Sequence, residues 1–189
     1  MKNKLILGWI AASLLAGCDY KVRLVDKPEL PIDKALVGVW KESSQQERVE
    51  RILVLPFSEN EYLVVWSTGA ENSLYARACL CKETDFVLVQ FTLFGSDEGP
   101  VIKEEDEDAH LHQYYAYSVK DDKLTLSRLN TDVVDRDVAT PAALLAAIQA
   151  NRTHPKLFDE ETVYTRVKPT EPQKDDAEVK RPPIPKAWQ

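Results

Sequence analysis

Residues 49–68 read VERILVLPFSENEYLVVWST, and this stretch decides the fold class of the chain. Two apolar segments, 49–57 and 62–68, are joined by the polar sequence SENE, which is typical of a β-hairpin. In the second segment Tyr62, Val64 and Trp66 lie two residues apart, so they share one face of a strand. The stretch therefore predicts two antiparallel strands of a mainly β domain.

Similar short segments occur on both sides of this hairpin. Their ranges are 36–42, 73–82, 85–94, 112–119, 123–129 and 162–167. With the hairpin they give about eight strands, at a spacing typical of all-β folds. The sequence therefore predicts an antiparallel barrel or a strongly curved sheet.

One helix is predicted before the last strand. Thr140 is a favourable N-cap, and Pro141 occupies the first helical position. Asn151 is predicted to cap the C-terminus in the left-handed conformation. The helix should pack on the sheet through an apolar stripe of Leu144, Leu145 and Ile148.

Residues 1–17 have the features of a signal peptide. Two lysines precede thirteen uncharged residues, whereas a membrane-spanning helix needs about 20 apolar residues. The run ends Leu15-Ala16-Gly17-Cys18, which resembles the lipobox of bacterial lipoproteins. The resemblance implies attachment of lipid, such as palmitate, to the Cys18 thiol, cleavage before Cys18 and acylation of the new N-terminus. The alternative is an ordinary secretory signal followed by a chance cysteine.

The same resemblance implies a location and a first partner. The mature protein is expected to be lipid-anchored in a bacterial cell membrane and to face the periplasm. Asp19 resembles the signal that retains lipoproteins in the inner membrane, and the outer membrane is the alternative. Residues 18–34 are then expected to form a lipidated N-terminus and tether, and residues 35–168 the β domain.

Residues 169–189 differ in composition from the rest of the chain. They carry five prolines and alternating charge, which predicts a disordered tail. Recruitment of a partner through Trp188 is the alternative.

Composition and motifs limit the chemistry. The net charge is −7, which disfavours a nucleic acid partner. Motifs of nucleophilic catalysis or phosphate binding are not recognisable, so we expect neither an enzyme nor a cofactor. The enzymatic alternative pairs one of two thiols with one of two histidines: Cys79 or Cys81 with His110 or His112.

Two sequence features could suggest a metal site, but we expect neither of them to bind a metal. Cys79 and Cys81 share a strand face, a poor geometry for a mutual disulfide, and are expected to be buried thiols. The acidic run at 104–108, with His110 and His112, lacks the ligand spacing of a calcium loop and is expected to be a solvated loop.

The triplet Gly38-Val39-Trp40 in the first strand is similar to the G-x-W signature of lipocalins. The resemblance implies an eight-stranded barrel in which the tryptophan closes one end. It also implies that an arginine from a late strand packs across the tryptophan, a role that Arg166 could fill by a cation–π contact.

Several aromatic and basic residues are candidates for a ligand surface. Tyr75, Arg77, Tyr115 and Tyr117, with Tyr114, are expected on central strands, where several could line a barrel lumen. Half-buried sheet residues with solvated hydroxyls are the alternative. Two functions follow as hypotheses: a non-catalytic envelope lipoprotein that contacts another protein, or a carrier of a small apolar ligand in the lumen.

Overall fold

A computed structural model describes residues 20–43, 50–68, 73–82, 87–100, 110–159 and 161–168. The described part is mainly β, with a short 3-10 helix at Lys34–Leu36 and the helix α1 at Pro141–Ala150. The strands in chain order are β1 Gly38–Glu42, β2 Glu50–Pro56, β3 Glu61–Thr68, β4 Ser73–Lys82, β5 Val87–Ser96, β6 Gly99–Pro100, β7 His112–Lys120, β8 Lys123–Arg128 and β9 Thr162–Arg166.

Eight of these strands form a closed antiparallel barrel. Each strand pairs with the next long strand along the chain, and β9 returns to pair with β1. The strand β6 is a two-residue addition that pairs only with the end of β5. The predicted barrel is thus confirmed, and its closure leaves the eight long strands without a free edge.

The barrel separates two apolar clusters. Inward residues of every long strand fill the lumen, including Trp40, Ile52 and Tyr62. A second cluster lies outside the wall, where α1 and the segments beside it cover β4, β5 and β7. Since both faces of these three strands are buried, their sequences are apolar on both sides.

The helix α1 forms as the sequence predicts at its start. The Thr140 hydroxyl accepts a hydrogen bond from the Ala143 N–H at 3.1 Å, and Leu144 and Ile148 are buried against the barrel. The predicted left-handed cap at Asn151 is wrong, because this residue has φ −101° and ψ 10°. Its N–H instead continues the helical pattern by donating to Ala147 and Ile148 carbonyls.

The two ends of the barrel differ. The turns between β2 and β3 and between β7 and β8 lie at one end, which we call the closed end because residues 28–37 cross it. The β7–β8 turn has Asp121 and Asp122 at φ 50° and 58°, as a two-residue hairpin requires. The opposite end carries the first residue of β7, His112.

The described part of the predicted tether belongs to the folded domain. Residues 20–27 run along the outside of the barrel from the opposite end to the closed end, and residues 28–33 then cross the closed end. They are held by backbone pairing with His112 and by side chains of Gln90 and Tyr62. The sequence predicts a tether here because two prolines and mixed charges outweigh its few apolar residues, of which Val22, Leu24 and Val25 pack on the wall.

Candidate functional site

The closed end is built around Trp40 and Arg166. The Arg166 guanidinium lies 4.0 Å from the centre of the Trp40 ring, and its two terminal nitrogens donate to the carbonyls of Val37 and Ala35 at 2.7 and 2.6 Å. The Trp40 indole N–H donates to the Leu36 carbonyl at 2.8 Å. The expected contact between the two side chains is therefore present, and it fixes the 3-10 helix over the end of the barrel.

Gly38 completes this arrangement. It has φ +144°, a conformation that favours glycine, and a Cβ at this position would lie 2.6 Å from Nη1 of Arg166. The glycine and the tryptophan of the G-x-W triplet thus serve one purpose, which is to admit and stack the Arg166 side chain.

An aromatic cluster lies inside the lumen, toward the end of the barrel that is opposite to the closed end. The Trp66 ring centroid lies 5.7 to 6.3 Å from those of Phe91, Tyr115 and Tyr164, and the Phe91 and Tyr115 centroids lie 5.2 Å apart. Glu50 is buried beside them and accepts hydrogen bonds from the Trp66 indole at 3.2 Å and from the Tyr164 hydroxyl at 2.9 Å. Burial, and then the Glu50 carboxylate, raises the pKa of Tyr164. The hydroxyl therefore stays a donor at neutral pH.

The candidate ligand-binding residues divide between the two faces of the wall. Tyr115 and Tyr117 point into the lumen, and the Tyr117 hydroxyl lies 3.3 Å from Oδ2 of Asp33. Tyr75 and Arg77 do not line the lumen, because Ala76 and Ala78 take the inward positions of β4. The Tyr75 hydroxyl donates to Asp97 at 2.7 Å on the outer surface.

Arg77 lies outside the barrel beside a surface pocket of about 310 Å³. Its guanidinium pairs with Glu61 and lies 4.8 Å from the centre of the Phe57 ring. Residues 23–28 form one wall of this pocket, and Cys79 and Gln90 also line it. The pocket is therefore a feature of the outer wall, separate from the aromatic cluster.

Cys79 and Cys81 are buried thiols on the outer face of β4. A hydrogen bond involving Cys81 lowers the pKa of Cys79, against the opposing effect of burial. The Cys79 sulfur also lies 3.8 Å from the Gln90 side-chain nitrogen. Both thiols pack with the outer cluster, as small apolar side chains do.

The two histidines have partners other than the thiols. His110 Nε2 lies 3.1 Å from Asp137, and His112 Nδ1 lies 3.1 Å from the Thr92 hydroxyl. Over the ranges that the structure covers, no group of three or more His, Cys, Asp or Glu side chains could hold a metal. The acidic run at 104–108, Cys18 and the tail at 169–189 lie outside the described residues.

An uncovered apolar surface lies on the wall opposite α1. Its residues point outward from β1, β2 and β3 and meet across the strands, with Val39 opposite Leu53 and Leu53 opposite Val65. We call this surface the outer apolar band: Val39, Leu53, Leu55, Phe57, Leu63 and Val65. Phe57 is 56% exposed, Leu55 40% and Val39 37%. The basic side chains of Lys41 and Arg51 lie in the next outward positions and are exposed.

Two polar residues were missed by the sequence analysis. Glu50 shares the inward face of β2 with Ile52 and Val54, a signal already present in their alternate spacing. Gln90 accepts hydrogen bonds from the N–H groups of Leu24 and Val25 at 2.9 and 3.0 Å. The sequence carries no sign of this second role, because it depends on a chain segment more than sixty residues away.

The fold and the closed end define a closed, eight-stranded, lipocalin-like barrel. Comparisons with protein families, with curated proteins and with solved structures found no match. Among the residues with described structure, none belongs to a helix long and apolar enough to cross a bilayer.

Proposed function

We propose that this protein is a lipid-anchored, non-catalytic envelope protein whose barrel docks another envelope protein through the outer apolar band. The observation that carries the proposal is the contrast between the two walls. Helix α1 and residues 20–25 cover β4, β5 and β7, whereas the band on β1 to β3 keeps large apolar side chains in contact with solvent. Contiguous apolar patches of this kind mark protein interfaces.

The charges around the band indicate the chemistry of the partner. Lys41 and Arg51 flank the band on one side, although the chain as a whole carries a net charge of −7. A partner with an apolar centre and an acidic rim would complement this surface.

The lumen supports the docking role over the carrier role. Four aromatic rings form a cluster inside the barrel, and two of them, Trp66 and Tyr164, donate hydrogen bonds to the carboxylate of Glu50. A carrier of this size needs an empty lumen for its ligand. Native mass spectrometry of the 19–189 fragment tests the alternative, because a co-purified small molecule would favour it.

The docking role is tested with photo-crosslinking side chains in membranes of the source bacterium. Positions 39 and 55 should yield the same adduct, whereas Thr125, on the outer face of β8, should not. Leu55→Asp should abolish the adduct from position 39 and leave the thermal unfolding midpoint nearly unchanged, because Leu55 is already exposed. Equal adducts from all three positions, or none from 39 and 55, would refute docking through the band.

The lipid anchor has its own test. Labelled palmitate should enter the wild-type chain and be absent from Cys18→Ser, which should also remain an uncut precursor. Equal label in the two proteins would contradict lipidation at Cys18.

A further inference from the structure

Tyr20 is attached to the barrel at the end that is opposite to the closed end. Its N–H donates to the His112 carbonyl at 2.9 Å, and its carbonyl accepts from the His112 N–H at 3.1 Å. The side chain is 0% exposed, its ring packs edge-on against Tyr114 at 5.3 Å, and its hydroxyl donates to the Val134 carbonyl at 3.2 Å. The pairing of β8 with β7 ends at Tyr115, so the edge of β7 at His112 is open to Tyr20, which pairs there in place of β8.

The residues after Tyr20 hold this attachment in place. The Tyr114 hydroxyl donates to the Val22 carbonyl at 2.7 Å and accepts from the Leu24 N–H at 3.0 Å. The Gln90 amide donates to the Val25 carbonyl at 3.0 Å. To lift Tyr20 from the wall, a pulling force would have to expose the Tyr20 ring and then break these bonds.

The covalent chain gives the distance from this attachment to Cys18. Two residue steps separate them, and an extended chain spans at most about 3.3–3.6 Å per residue, so their Cα atoms are within about 7 Å. A free tether over 18–34 would have allowed roughly 55–60 Å by the same rule. With the longer tether the barrel could lie far from the bilayer, whereas with the shorter one it must lie against the bilayer surface.

We infer that the acylated protein stands directly on the bilayer surface, with the loop of residues 130–137 beside Tyr20 facing the lipid headgroups. The inference rests on the lipid anchor proposed above. The two or three acyl chains of the proposed anchor hold Cys18 at the membrane surface, and Tyr20 then holds the barrel to Cys18.

The charges near Tyr20 suit contact with headgroups rather than insertion. Lys21 and His110 both pair with Asp137, at 3.6 and 3.1 Å. Asp135 and Arg136 in the same loop are exposed. A surface with mixed charges stays in the polar layer, because burying these groups in hydrocarbon would cost several kcal/mol each.

This seating leaves the docking surface accessible. The band centres on β2, which lies four strands from β7 in either direction around the barrel. It therefore faces away from the wall that carries the anchor. The closed end with Trp40 points away from the membrane.

The test compares hydrogen exchange of the acylated protein in nanodiscs of phosphatidylethanolamine and phosphatidylglycerol with that of the unacylated 19–189 fragment. Amides of residues 135–137 should exchange at least about fivefold more slowly in the nanodisc, whereas those of the Asp121–Lys123 turn should not change. A matched variant carries about eight Gly and Ser residues between Asp19 and Tyr20, which adds a reach of roughly 15 Å. It should remain acylated and lose the protection.

Each other result overturns the inference in a recognisable way. If residues 135–137 are not protected, or are protected no more than the Asp121–Lys123 turn, the barrel does not stand on the bilayer, although the protein can still be lipid-anchored. Protection that survives the insertion shows that the loop binds lipid without the short link. An N-terminal mass without acyl chains refutes the anchor itself, and the inference with it.

Discussion

At the scale of single residues, the closed end depends on one guanidinium. Arg166 joins the last strand to the 3-10 helix through two carbonyls, and it covers the face of Trp40. Its Nε also pairs with Asp122 at 3.2 Å, which ties the β7–β8 turn to the same point. One side chain therefore connects the helix, the strands β1 and β9, and a hairpin turn.

Replacing Arg166 should destabilise the barrel substantially. Hydrogen bonds from a charged group contribute about 1.5–3 kcal/mol each, so Arg166→Met should lower the free energy of unfolding by about 2–4 kcal/mol after solvent exposure is considered. The control is Arg128→Met, which removes a partly exposed pair with Asp159 and should therefore cost less than Arg166→Met, because such a pair contributes about 0–1 kcal/mol. Urea unfolding followed by circular dichroism measures both, and equal losses would contradict the role of Arg166.

Gly38 allows a second test at this scale, because another glycine has similar strain without the contact. Gly38 and Gly99 have φ +144° and +137°, but a Cβ on Gly99 would meet nothing within 4 Å. Strain alone should cost about 1–3 kcal/mol in each alanine variant. Gly38→Ala should cost more than Gly99→Ala, since it also displaces Arg166. Equal unfolding midpoints would show that the space for Arg166 is unimportant.

At the scale of elements, the N-terminal segment is held on the wall by Gln90. Its side chain is 3% exposed and bonds only to that segment and to Cys79 among its described contacts. Gln90→Met should leave the barrel folded and release the segment locally. Losing about 1–3 kcal/mol here should speed exchange of the Val25 amide by about tenfold to a hundredfold, whereas the Leu24 amide keeps its bond to the Tyr114 hydroxyl. Gln149→Met, on the exposed face of α1, should have no such effect, and a slow exchange in both variants would contradict this account.

The strands were predictable because their signal is local. Alternation such as Tyr62, Val64 and Trp66 needs no tertiary information, and β3 forms where it indicates. The face that turns inward was harder to predict in β4, because the outer side is also covered and both sets of alternating residues are largely apolar. This explains the misplacement of Tyr75 and Arg77. The docking of residues 20–25 depends on contacts with β5 and β7, which are distant in sequence and which no local pattern describes.

At the scale of the whole molecule, phenols buried in the lumen and under the outer cover of the barrel make its stability depend on pH. Burial raises the pKa of Tyr62, Tyr114 and Tyr164, which lie on three different strands. For Tyr117, burial and then Asp33 raise the pKa to about 12. Their protons are bound more tightly in the folded than in the unfolded chain, so the sign of the effect is the same at all four positions.

The barrel should therefore lose stability at alkaline pH. Unfolded tyrosine ionises near pH 10, so between about pH 10 and 12 the unfolded chain binds fewer protons than the folded chain and the free energy of unfolding falls as pH rises. Below pH 10 both states keep the protons and this contribution is constant. Urea unfolding over this range should show the fall, and Tyr117→Phe should make it shallower. Absorbance of tyrosinate should rise at higher pH in the folded protein than in urea, and coincident titrations would show that the folded structure does not protect these phenols.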